Sequence, residues 1–224
     1  MGICREGEPM TQLILFDCDG TLTDSNMVIV RSIQQAFEDS ALAAPKTMDV
    51  LAALGMSLDG VVEGLLHKQG DYSQNLVTTI AQNYREHYGV YEKDISLYPK
   101  VLDVLKELKK RGYWMAVVTG KSKDGLERVL SRFDLEAYFY TWRTADCCHS
   151  KPHPAMALEC MTELGVEAVN TTLVGDSHFD IQMAKAAGVR ALGAAFGSEN
   201  TQLLYDEGAD KVLYTFEELL DYFP

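Results

Sequence analysis

The chain has 224 residues, of which 47% are hydrophobic and 24% charged, a composition typical of a globular protein with one large domain or a core and a smaller domain. Its formal net charge of −13 disfavours nucleic acid or an anionic membrane as a partner, since both bind basic surfaces. No apolar run is long enough to cross a bilayer, the first residues hold no apolar signal segment, and the five cysteines lack paired metal-ligand spacing, so we expect a cytoplasmic protein.

Residues 13–16 are four apolar residues in a row, which predicts a strand buried on both faces. Asp17 and Asp19 follow directly, and Gly20 allows a sharp turn beneath them. Ligands of an open α/β sheet bind in the crevice beyond the carboxyl ends of its strands. Carboxylates crowded there repel one another, so we expect a cation or a proton to compensate them. Asp17 and Asp19 are therefore predicted to be a metal-assisted catalytic pair.

A helical segment is predicted directly after this first strand. Apolar residues recur at helical spacing, without a strand-like interruption, over residues 28–37, 48–54, 61–66 and 76–91. This pattern predicts a helical insert over 26–94, called the cap below, within a core domain formed by 1–25 and 95–224. An insert at that point either overhangs the crevice as a lid or lies beside the core as a helical domain.

From residue 98 onward, helices and strands alternate. Helices are predicted at 101–108, 123–133, 153–164, 179–187 and 216–222, and strands at 114–118, 138–142, 172–174, 189–195 and 211–214. Such alternation is typical of an α/β fold with a parallel, Rossmann-like sheet and right-handed crossovers.

Two further predicted strand ends carry groups that suit a phosphate. Thr119 and Gly120 follow a buried strand and open a helix, where a hydroxyl and free backbone N–H groups meet an anion. The segment 120–122 is not a nucleotide-binding P-loop, because the earlier glycine of that motif is missing. Lys151 lies in a proline-flanked loop before a helix and is predicted to reach the same crevice, where it can bind a phosphate oxygen.

A third carboxylate is predicted at the same edge of the sheet. Asp176 ends the strand predicted at 172–174, and Asp180 starts the next helix, where an aspartate is also an ordinary N-terminal residue. Carboxylates with waters and a substrate phosphate are the ligands that Mg²⁺ prefers.

These features together resemble a known family. The stretches DCDGTLTD, VVTGKS, KPHP and VGDSHFD, in this order, resemble the four motifs of the haloacid dehalogenase-like phosphohydrolase superfamily. The helical insert is similar to the small cap of its phosphoglycolate phosphatase-like subgroup. The resemblance covers nearly the whole chain from Leu13 onward.

The resemblance implies a role for each candidate residue. Asp17 would be the nucleophile that forms an aspartyl phosphate, and Asp19 the general acid and later the general base. Thr119, the amide of Gly120 and Lys151 would hold the phosphoryl group. The ligands of Mg²⁺ would be Asp17, the backbone carbonyl of Asp19 and Asp176, with Asp180 supporting them from behind.

Several activities occur within such a family. A dehalogenase does not need the second acid, a sugar phosphate mutase would carry a basic residue just after Gly55, and a phosphonate hydrolase needs a matching cap lysine. We therefore expect hydrolysis of a small phosphorylated metabolite such as phosphoglycolate, with pyrophosphate, nucleotides and sugar phosphates as alternatives. A non-enzymatic aspartyl-phosphate switch is the contrasting class, and it would lack both Asp19 and the insert. No oligomeric state is predicted.

Overall fold

A parallel sheet forms the centre of the fold in the computed structural model, which describes residues 12–70 and 72–224. The strands are β1 (Leu13–Phe16), β2 (Thr23–Asp24), β3 (Ser96–Leu97), β4 (Trp114–Thr119), β5 (Thr141–Thr144), β6 (Thr171–Gly175), β7 (Arg190–Ala194) and β8 (Lys211–Leu213). Six of them form one sheet in the order β5-β4-β1-β6-β7-β8, with every neighbouring pair parallel. Counted within this sheet, the order is that of a Rossmann-type fold, which confirms the predicted fold class.

Helices cover the sheet and form the cap. They are α1 (Asn26–Asp39), α2 (Thr47–Leu51), α3 (Leu58–Gln69), α4 (Gln74–Tyr91), α5 (Val101–Lys110), α6 (Lys123–Arg132), α7 (Ala155–Leu164), α8 (His178–Ala187), α9 (Thr201–Asp206) and α10 (Leu219–Tyr222). Short 3-10 turns at Glu92–Asp94, Glu136–Tyr138, Ala168–Asn170 and Phe216–Glu218 connect some of them.

The central strand β1 is buried on both faces, as its apolar run predicts. Ile14 and Phe16 belong to one hydrophobic cluster and Leu13 and Leu15 to another, because successive side chains of a strand point to opposite faces. β1 lies between β4 and β6, where the strand order reverses. The residues that follow β1 therefore open into the crevice in which ligands of this fold bind.

The cap helices α1–α4 surround a hydrophobic cluster of their own, which includes the fully buried Phe37, Val62 and Ile80. The antiparallel pair β2 and β3 joins the chain where it leaves the core and where it returns. This ladder was not predicted, since two residues per strand show no periodicity. The division into a core domain and a cap at 26–94 stays a prediction.

The cap lies over the crevice rather than beside the core. A Cβ atom built on Gly120 would lie 2.2 Å from the carbonyl oxygen of Met56, in the loop between α2 and α3. Gly55, which precedes Met56 in this loop, also lies against the core. A Cβ atom built on Gly55 would lie 2.5 Å from the hydroxyl oxygen of Ser177. The loop therefore rests on two turns that follow core strands.

The third strand of the core was predicted in the wrong place. It spans Thr141–Thr144 instead of 138–142, and Thr144 pairs with Thr119 at the crevice. The preceding aromatic residues made the segment look like a strand, but Phe139 packs edge-on against Phe16, 6.2 Å away between ring centroids, and Tyr138 ends a 3-10 turn. Tertiary packing of the rings overrides their strand propensity here.

Other differences are small. Helix α9 was not predicted, the helix predicted at 153–164 begins at Ala155 because Pro154 precedes its first turn, and the segment 216–222 is divided between a 3-10 turn and α10. The first residues, in which no signal segment is predicted, lie outside the described residues. Within 12–70 and 72–224, the helices are all too short or too polar to span a membrane.

The contact at Gly120 provides a test of the cap's position. We expect Gly120→Ala to push the Met56 loop away from the core and to lower kcat/KM by about 10²-fold, since a displacement of about 1 Å at a reacting site has an effect of that size. The measurement is steady-state phosphate release together with thermal unfolding. Gly64→Ala, in α3, is the matched control, because its new methyl group meets no atom within 4 Å and should leave activity unchanged. Equal activities of the two variants would contradict the close packing of this loop.

Candidate active site

Asp17 lies on the floor of the crevice, directly after β1. It is 2% exposed, and its backbone N–H donates to the carbonyl of Val174 in the neighbouring strand. Its Oδ1 atom accepts a hydrogen bond of 2.6 Å from the N–H of Cys18 and lies 2.8 Å from Nζ of Lys151. The carboxylate is thus held by one backbone dipole and one buried cation.

Lys151 joins two carboxylates. Its side chain is fully buried, and Nζ lies 2.7 Å from Oδ1 of Asp180 in addition to its contact with Asp17. The other oxygen of Asp180 accepts from the N–H and the hydroxyl of Ser177 in the capping box of α8. Asp180 is therefore both an N-terminal helix residue and a member of the buried charge cluster.

Asp176 completes a group of three carboxylates with Asp17 and Asp180, whose oxygen atoms lie within 4.8 Å of one another. Oδ1 of Asp176 accepts a hydrogen bond of 2.9 Å from the hydroxyl of Thr21. Gly20, with φ of +78°, comes so close that a Cβ there would lie 2.1 Å from Oδ2 of Asp176. Glycine is required at this position both for its backbone conformation and for this approach.

The electrostatics of the cluster call for a cation. Burial, together with Asp180 and Asp19, raises the pKa of Asp17 to about 7, although Lys151 opposes the shift. Burial and the other two carboxylates raise the pKa of Asp176 well above its ordinary value. Burial acts against the charge on Lys151, but Asp17 and Asp180 hold its pKa above the usual range. One ammonium facing three carboxylates leaves negative charge over, and the oxygen donors fit Mg²⁺.

Asp19 is placed apart from this cluster, on the side that faces the cap. Its Oδ1 accepts a hydrogen bond of 2.5 Å from the hydroxyl of Ser25, and its Oδ2 lies 2.8 Å from Nζ of Lys121. Lys121 also donates to the hydroxyl of Tyr88 on cap helix α4, at 2.8 Å. Burial opposes the charge of Lys121, but Asp19 and Tyr88 raise its pKa well above the ordinary value. Burial raises the pKa of Tyr88 to about 12, so its phenol stays protonated.

A cavity of about 290 Å³ separates the core from the cap. Asp17, Asp19, Thr119 and Gly120 line its core side. The cap side is formed mainly by apolar and aromatic residues: Ile29, Ile33, Leu54, Met56, Leu58, Val61, Tyr84 and Tyr88. The structure thus brings together all the residues predicted for the site. Three of them lie outside the cavity lining: Lys151 contacts Asp17, and the carboxylates of Asp176 and Asp180 lie within 4.8 Å of it.

Sequence reasoning missed Lys121 and Tyr88. The position of Lys121, directly after Thr119 and Gly120 at the end of a buried strand, is a signal that could have indicated it. Tyr88 has no such signal, because a tyrosine on an amphipathic helix is typical of a packed core.

Comparison with known proteins shows the family of the chain. The model of the haloacid dehalogenase-like hydrolase family matches residues 14–194. The chain belongs to this family. A pyrophosphatase, PpaX, of Bacillus velezensis is 30% identical over 92% of this chain and 94% of its own length. A phosphoglycolate phosphatase of Yersinia pestis is 30% identical over 92% of this chain and 90% of its own length.

Solved structures share the same fold. A crystal structure described as a predicted phosphoglycolate phosphatase from Haemophilus somnus superposes with a TM-score of 0.85, at 24% identity, over 97% of this chain and all of that one. The predicted membership of the superfamily is confirmed, and the chain is a phosphatase of the haloacid dehalogenase-like type.

The charge cluster predicts how a cation affects stability. Asp17 has a folded-state pKa of about 7, raised from an ordinary 3.8, so the folded chain keeps a proton that the unfolded chain releases. Without a cation, its contribution to the free energy of unfolding therefore falls as pH rises from about 4 to about 7. Because a bound cation replaces that proton, Mg²⁺ binds more weakly at low pH. We expect a Mg²⁺ concentration that is a hundredfold the Kd at pH 8 to raise Tm by roughly 5–10 °C at pH 8, and the same concentration to raise it by much less at pH 5.

Thermal unfolding with MgCl₂, and with NaCl at matched ionic strength, measures this effect. Asp176→Asn should lose the Mg²⁺-dependent rise and, by removing a buried negative charge, be more stable than the unsubstituted chain at pH 8 without metal. Asp103→Asn, at a side chain that is 73% exposed, should behave like the unsubstituted chain. A rise in Tm that is the same at both pH values would contradict the prediction.

Proposed function

We propose that this chain is a Mg²⁺-dependent phosphatase that hydrolyses a small phosphorylated metabolite through an aspartyl phosphate on Asp17. The observation that carries the proposal is the placement of Asp17 on the floor of the cavity, with Lys151 against one oxygen and Asp19 lining the same cavity. The nucleophile and the second acid thereby face one enclosed space, and the cation for the transferring group contacts the nucleophile from just outside its lining.

Asp17 begins the reaction by attacking phosphorus, and the bond between phosphorus and the leaving oxygen breaks. Its Oδ1 is fixed by the N–H of Cys18 and by Lys151, which orients the carboxylate. A carboxylate approaches an anionic phosphate only if positive charge lies nearby, and Lys151 supplies part of that charge.

The transferring phosphoryl group is held at the strand ends. Thr119 is 1% exposed, and its hydroxyl accepts from the N–H of Lys121 at 3.2 Å, which leaves its proton available to a phosphoryl oxygen. The amide of Gly120 is the second donor. Together with Lys151 these groups stabilise the charge on the equatorial oxygens.

Asp19 donates its proton to the leaving oxygen and then accepts a proton from the water that hydrolyses the aspartyl phosphate. The hydroxyl of Ser25 and the ammonium of Lys121 fix its two oxygens. A receiver-like switch has no equivalent of this second acid.

The cluster beside Asp17 suits a divalent cation. Asp17, the backbone carbonyl of Asp19 and Asp176 would hold Mg²⁺, with Asp180 supporting Lys151 and the cluster from behind. When bound, the ion supplies positive charge that offsets the repulsion between the nucleophile and the phosphate.

The cavity favours a small substrate, and phosphoglycolate is the candidate that the resemblance implies. Pyrophosphate is the second candidate, because a 30% identical relative is a pyrophosphatase. The loop at Met56 and Ser57 has no basic side chain where a sugar phosphate mutase would be expected to carry one, which favours hydrolysis. The four free cysteines among the described residues fit a reducing, cytoplasmic location.

Phosphate release tests the mechanism. The panel includes phosphoglycolate, pyrophosphate, nucleotides and sugar phosphates, each with Mg²⁺ and with EDTA. We expect metal-dependent release that falls to background in Asp17→Asn, because the nucleophile is lost, and about 10²- to 10⁴-fold in Asp19→Asn, because proton transfer is lost. Asp103→Asn is the exposed control and should retain full activity.

The opposite outcome distinguishes the contrasting class. If no ester is hydrolysed but treatment with an acyl phosphate leaves stable phosphate on Asp17, the chain is an aspartyl-phosphate switch. Full activity of Asp17→Asn would refute the proposed nucleophile.

A further inference from the structure

We propose that Lys121, held by Tyr88 of the cap, is a further catalytic residue that stabilises the charge on the departing oxygen of the leaving group. The inference rests on the proposed function, since it concerns the same reaction.

Three contacts place the ammonium of Lys121. Nζ lies 2.8 Å from Oδ2 of Asp19, donates to the hydroxyl of Tyr88 at 2.8 Å, and lies 4.7 Å from the centroid of the Tyr88 ring. The side chain is 8% exposed, and Tyr88 is 5% exposed. Burying an ammonium is costly, and these contacts with Asp19 and Tyr88 are what keep Lys121 charged beside the cavity.

The position of the leaving group follows from Asp19. A general acid must lie within about 3 Å of the atom that it protonates, so the leaving oxygen lies near Asp19 within the cavity. Since Nζ of Lys121 is 2.8 Å from Asp19, it lies no more than about 6 Å from that oxygen, a distance at which its charge acts strongly in a space from which water is excluded.

The other cations that line the cavity are less well placed. Arg128 pairs with Glu92 at 3.1 Å and has a side chain that is 52% exposed, and Arg85 is exposed on the cap. Charge in a site from which water is excluded acts more strongly than charge at its entrance. Lys121 is therefore the cation that the leaving group meets first.

The position of the Lys121 ammonium depends on the cap through Tyr88. Lys121 belongs to the core and Tyr88 to α4 of the cap, so their hydrogen bond exists only while the cap covers the crevice. The phenol of Tyr88 fixes Nζ of Lys121 above Asp19. The ring of Tyr84 packs against the ring of Tyr88, with the centroids 5.5 Å apart. Closure of the cap and placement of the cation are thus one event.

During the step, the bond between phosphorus and the leaving oxygen breaks as the bond between Asp17 and phosphorus forms. The proton of Asp19 passes to the leaving oxygen, and Lys121 keeps all its protons throughout. Its contribution is electrostatic, and it is largest where the departing oxygen carries the most negative charge in the transition state.

The test measures two substrates with the variant Lys121→Met, which keeps the length of the side chain without its charge. Neither leaving group has an ionised substituent, so only the charge on the departing oxygen differs. p-Nitrophenyl phosphate has a leaving group that delocalises negative charge, and an alkyl phosphate such as glycerol phosphate has one that does not. We expect kcat/KM to fall about 10²-fold for the alkyl phosphate and less than about 10-fold for p-nitrophenyl phosphate. The ratio between the two substrates does not depend on the fraction of folded enzyme, so reduced stability of the variant does not affect it.

Tyr88→Phe keeps the ring but removes the hydroxyl, and it should change the ratio in the same direction by a smaller factor. Lys123→Met, whose side chain is 61% exposed, should change neither rate. If Lys121→Met leaves the ratio of kcat/KM between the two substrates unchanged, the inference is overturned. Phosphoglycolate is measured beside them, and a loss of activity confined to it would also overturn the inference, because Lys121 would then bind the carboxylate of that substrate. Absence of turnover in the unsubstituted enzyme would instead refute the proposed function.

Discussion

The buried cluster of Asp17, Asp176 and Asp180 around Lys151 is the constraint on which the rest of the structure depends. Like charges within 4.8 Å of one another repel strongly where water is excluded, and a single ammonium offsets only part of the repulsion. Burial, together with the remaining repulsion, raises the pKa values of Asp17 and Asp176. The cluster therefore has the charge and the oxygen atoms that fit a divalent cation.

The sheet topology makes this cluster possible. Asp17 and Asp176 follow β1 and β6, which are adjacent parallel strands. The hydrogen bond from Thr21 to Asp176 therefore joins residues that are 155 positions apart in the chain. Parallel strands end at the same edge, so residues from distant motifs meet without any long loop to carry them. Backbone dipoles and the capping box of α8 then fix the carboxylates.

Core and cap divide the chemistry between them. The core presents charged and hydrogen-bonding groups, whereas the cap contributes an apolar and aromatic wall with few polar atoms. A cavity built in this way strengthens the electrostatic interactions on its floor, because an apolar wall excludes water. Lys121 is where the two halves meet, because one nitrogen contacts Asp19 of the core and Tyr88 of the cap.

Local patterns predicted most of the fold and the residues of the candidate site. Four apolar residues before Asp17, the alternation of helices and strands after residue 98, and glycines at strand ends are properties of neighbouring residues, so the chain shows them directly. The strand at Thr141–Thr144 was predicted too early because Tyr138 and Phe139 have the propensity of strand residues but pack as core side chains.

By itself, therefore, the sequence determined the fold class, the family and the carboxylates at the strand ends. Only the tertiary structure decided that the cap covers the crevice, that Lys151 joins Asp17 to Asp180, and that Lys121 pairs with Tyr88, which lies 33 positions earlier in the chain. The physical reason is that burial and periodicity are imposed on each element separately, whereas a contact between two elements depends on how both are oriented in the folded chain.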